Sequence, residues 1–232
     1  MKNLHEPMGH DVEEGRGDFL NSTVQRRSFL KYAGAGAAGI ALVAAGCKKD
    51  RLESGVYLGE GDLGILNYAY ALEQLEAAFY IQVAANPYSG ITAAETAYMT
   101  DIRDHEIAHR EFFKRALGAN AIGPLEVDFS SITFSSRASV LGTAMAFEDL
   151  GVTAYNGAGY LLKSGDYLLA AGKIVSVEAR HAALIRELIA PNTFLGDQVD
   201  GSSVNISRTP AEVLAIAGKY IKTKINTTGL PS

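Results

Sequence analysis

The apolar residues from Asp62 to about residue 190 recur with a period near 3.6, and the breaks in this pattern constrain the architecture. A threonine and a glutamate three residues later form a capping box at Thr92, and Pro191 ends the pattern. A shorter helix is predicted to begin at Thr209, where a second capping box is followed by proline at the first helical position. The pattern predicts four long helices, over residues 62–86, 92–118, 136–163 and, with Asp166 as its cap, 166–190.

The lengths of the connections predict how these helices pack. Loops of a few residues join the first helix to the second and the third to the fourth, so each pair is expected to form an antiparallel hairpin. Residues 119–135 separate the pairs and can extend over roughly 56 Å at 3.3 Å per residue. A 26-residue helix is only about 39 Å long at 1.5 Å per residue. We therefore predict an all-α four-helix bundle with a long crossover between helices two and three, plus a short C-terminal fifth helix.

Two Glu-x-x-His sequences occur, one in the second helix of each predicted hairpin. Glu106 and His109 lie three residues apart, as do Glu178 and His181, so each pair shares one helical face. In both helices that face is the apolar stripe that should pack into the core. A buried carboxylate without a partner is costly, and such groups normally pair with a cation or bind a metal. The placement therefore predicts a metal site inside the bundle.

Such a site needs a further carboxylate from each of the other two helices. The third helix offers Glu148, and the first offers Glu73 or Glu76. Aligning the two helices pairs Glu73 with Glu148 and favours Glu73. The equal spacing from Glu76 to Glu106 and from Glu148 to Glu178 favours Glu76 instead. We prefer Glu73 and keep Glu76 as the alternative.

Several neighbouring residues have simpler interpretations. Tyr80 and Tyr155 lie two turns beyond the candidate ligands, and we expect them to be core residues, with hydrogen bonds to ligand carboxylates as the alternative. His105 should point away from the metal face, and Asp149 should lie at the surface. The four glycines of the third helix allow either close helix packing or room near the metals.

This arrangement resembles the ferritin-like superfamily, in which two helices each supply a glutamate and two others each supply Glu-x-x-His. The resemblance covers residues 62–190 and implies a dinuclear metal site. Oxygen-rich ligation with one imidazole per ion suits iron, with manganese possible as well. By this resemblance the bridging ligands would be Glu106 and Glu178, the terminal carboxylates Glu73 and Glu148, and the imidazole ligands His109 and His181.

The segment before the bundle has a different composition. Arg26 and Arg27 open the sequence RRSFLK, which is followed by 15 uncharged residues and then by Cys47. A transmembrane helix needs about 20 apolar residues, whereas a basic region before a short apolar run indicates an export signal. The segment resembles a twin-arginine signal that ends in a lipobox, although Ala44 stands where leucine is more common. We predict that residues 1–46 are removed and that Cys47 carries a lipid.

Composition excludes other classes of protein. A net charge of −5 and a pI of about 5.6 argue against a nucleic-acid partner. A single cysteine excludes a disulfide framework and any four-cysteine metal site. The predicted domains are the removed signal, the lipid-anchor cysteine with its tether, the ferritin-like bundle and a C-terminal extension, over residues 1–46, 47–61, 62–190 and 191–232.

The export signal and the fifth helix look most like bacterial ferritin-like proteins that are grouped with plant desiccation-related proteins. The resemblance implies a membrane-anchored di-iron protein, periplasmic or on the cell surface, that oxidises Fe(II) or reduces O2 or peroxide under oxidative or desiccation stress. The alternatives are manganese-dependent peroxide dismutation and a non-catalytic structural or metal-binding protein. A lipid anchor on every subunit suits a monomer or homodimer better than a storage cage.

Overall fold

A computed structural model describes residues 55–231. The predicted export signal with Arg26 and Arg27, and the predicted lipidation site Cys47, lie outside the described residues. None of the described helices is long and apolar enough to cross a membrane. The elements are β1 (Val56–Tyr57), α1 (Gly61–Ala85), α2 (Ala93–Leu117), a 3-10 turn (Gly118–Asn120), α3 (Arg137–Gly159), α4 (Gly165–Ile189), α5 (Pro210–Ala217) and β2 (Ile225–Asn226).

Side-chain caps determine where the helices begin. Both predicted capping boxes are confirmed, because Thr92 and Thr209 each accept a bond from the backbone of a glutamate whose carboxylate bonds back. The predicted cap of α4 is wrong. The hydroxyl of Ser164 accepts from the backbone of Tyr167, and Asp166 lies in the first turn. A carboxylate there is still favourable, because it faces the positive end of the helix dipole.

The third helix ends at Gly159, so its predicted extension to residue 163 is wrong. Two glycines in its last turn explain the early end, because glycine disfavours helix by roughly 1 kcal/mol relative to alanine. Gly157 also has a packing role. A Cβ there would overlap the carbonyl oxygen of Arg208, whose backbone N–H donates to Thr153 O at 3.0 Å. Gly157 therefore lets the segment before α5 cross α3 in contact with its backbone.

The long helices form two hairpins, α1 with α2 and α3 with α4, as predicted. Contacts between the hairpins define their directions. Tyr80 of α1 bonds to Glu148 of α3, and Glu73 of α1 to Tyr155. The higher-numbered residue of α1 contacts the lower-numbered residue of α3, and the reverse holds for the other pair. The two helices are therefore antiparallel. Because α2 is also antiparallel to α1, α2 and α3 run parallel, which confirms that the crossover travels the length of the bundle.

The crossover is held by both the core and the C-terminal segment. Phe129 and Phe134 from the crossover pack on Phe79 of α1, with ring centroids 6.0 Å apart in both pairs. On its other side, the backbone of Asp128 donates to Tyr220 O at 2.8 Å. The short parallel pair of β1 and β2 brings the two ends of the described chain together. The sequence predicts no strands, since two residues are too few to show alternation.

Candidate metal centre

Five glutamates and two histidines meet in the middle of the bundle, and every long helix contributes at least one. All five glutamates are buried, four of them with no exposed surface, and the two histidine side chains are 12% and 5% exposed. We call this set the Glu/His cluster; it comprises Glu73, Glu76, Glu106, His109, Glu148, Glu178 and His181.

The cluster contains two overlapping groups of potential metal ligands. In each group, one ligand atom from every residue lies within 4.8 Å of the others. Glu106 and Glu178 belong to both groups, so the two positions share two carboxylates. Glu76 belongs to neither group, which favours Glu73 as the ligand from α1, although ligation itself stays a prediction. The first group is Glu73, Glu106, His109 and Glu178, and the second is Glu106, Glu148, Glu178 and His181.

The spacing of these atoms matches that around a metal ion. His109 Nδ1 lies 2.8 Å from Glu178 Oε1 and 3.5 Å from Glu73 Oε2. His181 Nδ1 lies 3.0 Å from Glu106 Oε1 and 3.4 Å from Glu148 Oε2. Neighbouring ligands of an octahedral ion with bonds of about 2.1 Å are about 3 Å apart. Each imidazole nitrogen therefore stands at ligand distance from carboxylates of its own group.

The cluster also contains buried polar atoms that have only one another as partners. Both imidazole Nδ1 atoms and six carboxylate oxygens are inaccessible to solvent and have no hydrogen-bond partner outside this set. Leaving one such group unsatisfied costs about 1–3 kcal/mol. Two cations shared among them would satisfy all eight, so the donor set fits a dinuclear metal centre. The atoms are Glu73 Oε2, Glu106 Oε1 and Oε2, His109 Nδ1, Glu148 Oε2, Glu178 Oε1 and Oε2, and His181 Nδ1.

The two shared carboxylates differ in acidity. Burial, with repulsion from Glu178, raises the pKa of Glu106 to about 8. Burial acts on Glu178 in the same direction, but close contacts with His109 and His181 outweigh it and lower its pKa to about 2. Glu178 is therefore the carboxylate that both imidazoles stabilise most.

The imidazoles neutralise part of the cluster in the metal-free chain. Burial alone would lower the pKa of both, but close contacts with the carboxylates raise them, that of His181 to about 12. Both rings therefore carry a proton on Nδ1 at neutral pH. Metal binding needs that nitrogen deprotonated, so a bound cation would replace these protons.

Both tyrosines lie in the core, as expected, and each also holds an unshared carboxylate, which is the alternative that the sequence leaves open. Tyr80 Oη donates to Glu148 Oε1 at 2.5 Å, and Tyr155 Oη donates to Glu73 Oε1. Each tyrosine acts across the interface between α1 and α3. In both pairs the second oxygen, Oε2, is left facing the cluster.

Glu76 lies opposite Gly151 of α3, where the missing side chain leaves space. A Cβ at Gly151 would stand 3.1 Å from Glu76 Oε1 and 3.8 Å from Glu178 Oε2. Gly151 thus provides room at the centre, one of the two explanations that the sequence leaves open. Burial, followed by repulsion from four other carboxylates, raises the pKa of Glu76 well above its ordinary value. Both effects favour the protonated form of the Glu76 carboxyl.

Three contacts could not be predicted from the sequence. His105 is exposed, as expected, yet its Nδ1 lies 2.9 Å from Nε2 of His181. The expected surface position of Asp149 is wrong, because its side chain is 13% exposed and pairs with Arg186 at 2.5 Å. Arg186 also reaches Asp197 at 3.2 Å. Each contact joins different helices or segments, so a pattern within one helix cannot reveal it.

Comparison with curated proteins found no match. Comparison with protein families matched the ferritin-like domain to residues 61–191, which include α1 to α4 and all seven residues of the Glu/His cluster. The match covers more than half of the chain, and the two helical hairpins agree with it. The chain belongs to the ferritin-like domain family.

Proposed function

We propose that this chain is a dinuclear iron protein that oxidises Fe(II) or reduces O2 or peroxide. The observation that carries the proposal is the pair of overlapping ligand groups, which share Glu106 and Glu178. Eight buried atoms of these groups have no partner outside the groups. Six of them are carboxylate oxygens, and the two imidazole N–H groups beside them are too few to satisfy all six.

Charge supports two ions over one. The four carboxylates in the two ligand groups carry a charge of −4 when ionised, which two divalent cations neutralise. A single divalent ion would leave two buried negative charges and one imidazole without a ligand role. Burying unpaired charge is strongly unfavourable. The dinuclear state is therefore the one in which this donor set is both filled and neutral.

The ligand chemistry suits iron, and it suits manganese as well. Each group supplies three carboxylates and one imidazole. Carboxylates suit hard cations such as manganese, and imidazole suits iron, so a mixed set fits both metals. When bound, two iron ions would supply electrons to an oxidant while the protein holds the geometry and excludes bulk water.

Residues around the ligands would control protons and orientation. Tyr80 and Tyr155 hold the unshared carboxylates, so those carboxylates present one oxygen each to the ions. Reducing peroxide to two waters consumes two protons and two electrons. The Glu76 carboxyl, whose protonated form is favoured by burial, lies beside Gly151 and would supply a proton close to the reaction. The single cysteine rules out a four-cysteine electron-transfer site within this sequence, so Fe(II) or a partner would supply electrons.

We further propose that the chain is exported by the twin-arginine route and anchored through a lipid on Cys47. The sequence RRSFLK before an uncharged run supports export, and the cysteine after Ala-Ala-Gly supports lipidation. Such a protein would consume iron or peroxide at a membrane surface during oxidative or desiccation stress. Mass spectrometry of the processed N-terminus tests this directly. A Cys47→Ser variant should lose the lipid mass and leave the membrane fraction, and an unchanged membrane fraction would contradict the anchor.

The experiment that tests the metal proposal uses residues 48–232, purified without chelator and loaded with Fe(II) or Mn(II). We expect about two ions per chain, and consumption of peroxide or O2 by the iron-loaded protein. Fewer than about one ion per chain under metal-replete conditions would overturn the dinuclear site. Release of O2 from peroxide by the manganese-loaded protein alone would favour the dismutase, and two ions without turnover would favour a non-catalytic role.

A further inference from the structure

An exposed histidine contacts one of the two imidazoles of the Glu/His cluster. His105 of α2 places its Nδ1 2.9 Å from Nε2 of His181 of α4. The two ring planes differ by 11° and the centroids are 5.1 Å apart, so the rings meet edge to edge through this hydrogen bond. His181 is almost fully buried, whereas His105 lies at the surface of the bundle.

The direction of this hydrogen bond follows from the other nitrogen of His181. Its Nδ1 faces three glutamates at 3.0, 3.4 and 3.7 Å and is the only ring atom placed to bind a cation there. A metal-bound Nδ1 carries no proton, so the proton of the neutral ring must be on Nε2. His181 Nε2–H therefore donates, and His105 Nδ1 accepts. The acceptor orients the ring and selects the tautomer that binds metal.

Among the described residues, the imidazole of His109 has no hydrogen-bond acceptor equivalent to His105. Within residues 55–231, no hydrogen bond to Nε2 of His109 is formed, and its side chain is more exposed than that of His181. Aligning the two Glu-x-x-His sequences places Val177 where His105 precedes Glu106. Valine cannot accept a hydrogen bond. The support is therefore confined to one of the two predicted metal positions.

We propose that His105 is a positioning residue that fixes His181 for metal binding and so makes the two metal positions unequal. This inference rests on the proposed dinuclear site. Hydrogen-bonded partners of metal-binding histidines typically contribute 10- to 100-fold in affinity. The position that includes His181 should accordingly bind its ion more tightly, and release it more slowly, than the position that includes His109.

The test is a titration of the metal-free full chain with Co(II), followed by its visible absorption, in wild type and three variants. His105→Phe keeps an aromatic ring at this position but removes the acceptor. His105→Asn restores an acceptor oxygen near the place of Nδ1. Asp104→Asn alters an exposed neighbour on the same helix and is the matched control. We expect His105→Phe to weaken one of the two Co(II) sites by about 10- to 100-fold, while His105→Asn and the control stay close to wild type.

Proton NMR of the Co(II)-loaded chain supplies a readout that a general loss of packing would not produce. We expect two paramagnetically shifted imidazole N–H resonances in wild type, of which one exchanges slowly with water. That slow resonance should persist in His105→Asn and exchange rapidly in His105→Phe. Unchanged Co(II) affinities and exchange in His105→Phe would overturn the role of His105 alone. Failure of the wild-type chain to bind Co(II) would instead overturn the dinuclear site, and this inference with it.

Discussion

The α1–α2 hairpin and the α3–α4 hairpin present the same set of groups to the centre of the bundle. Each supplies a lone glutamate, a Glu-x-x-His pair and a tyrosine that bonds to the lone glutamate of the other hairpin. They differ at two positions beside these groups. Glu76 of the first hairpin corresponds to Gly151 of the second, and His105 corresponds to Val177.

The comparison separates what makes the site from what distinguishes its two halves. The shared groups account for the two proposed metal positions and for their charge balance. One difference is a fifth carboxylate, that of Glu76, which the charge balance does not require. The other is His105, a hydrogen-bond acceptor that contacts only one of the two imidazoles. We therefore expect changes to shared groups to remove metal, and changes at the unequal positions to alter proton supply or the relative affinity of the two ions.

The largest effect should come from removing a carboxylate that both halves use. Glu106→Ala and Glu178→Ala each take a ligand from both groups, so each should lose both ions. Metal analysis after loading and desalting checks this. The control is Glu111→Gln, because Glu111 lies on α2 but pairs with Arg110 at the surface and should leave about two ions bound. Retention of one firmly bound ion in either alanine variant would show that the carboxylate is not shared.

Removing an unshared carboxylate should affect only one position. Glu73→Ala should leave one ion per chain, bound on the side of His181, and Glu148→Ala should leave one on the side of His109. Glu76→Ala should keep both. Metal analysis again supplies the measurement. Loss of an ion from Glu76→Ala with none lost from Glu73→Ala would reverse the assignment of the α1 ligand.

The fold and the candidate ligands could be predicted from the sequence because both depend on periodicity within single helices. A glutamate on an apolar stripe is conspicuous, and so is a capping threonine. Periodicity could not reveal contacts between helices, such as that of His105 with His181 or of Asp149 with Arg186. It also could not show why Gly151 is small, since the reason is a side chain on α1.

Glu76→Gln should keep the metals but slow peroxide reduction, because the amide fills the same space and cannot give up a proton. General acids contribute about 10²–10⁴-fold, so we expect a loss of at least about 100-fold in turnover. Stopped-flow kinetics of the iron-loaded chain measure it, with Gln74→Ala as a control on the same helix. Full turnover in Glu76→Gln would exclude Glu76 as the proton source.

The metal-free chain should lose stability as pH rises from 5 to 8. Burial raises the pKa of Glu106 to about 8 and of Glu148 to about 7, from an ordinary value of 4.5. Because the folded chain binds these two protons more tightly than the unfolded chain, their contribution to stability is complete below pH 4.5. It is lost as pH rises through the folded-state pKa values of about 7 and 8. Glu178, with its lowered pKa, loses its contribution only as pH falls towards 2.

Bound metal should reverse this trend, because cations favour the ionised carboxylates. The thermal midpoint of the metal-free chain should fall by more than about 4 °C between pH 5 and 8, which corresponds to at least about 1 kcal/mol. Relative to the metal-free chain, the metal-loaded chain should become more stable as pH rises from 5 to 8. Calorimetry at both pH values measures the midpoints, and equal trends for the two forms would contradict the predicted acidities.

The smallest effects should come from the tyrosines. Tyr80→Phe and Tyr155→Phe each remove one hydrogen bond to a carboxylate, which is worth about 1.5–3 kcal/mol. Each variant should weaken one ion by about tenfold, on the side of Glu148 and of Glu73 respectively. Metal titration measures the affinities. Because the two pairs are equivalent, a large difference between the variants would break the symmetry that the shared groups imply.

The central claim is that the bundle holds two metal ions between Glu106 and Glu178. Crystals of the iron-loaded chain, measured on both sides of the iron absorption edge, test it most directly. The account predicts two anomalous peaks within the Glu/His cluster, about 3.5–4 Å apart, one beside His109 and one beside His181. A single peak, or none in the cluster of fully loaded protein, would contradict it.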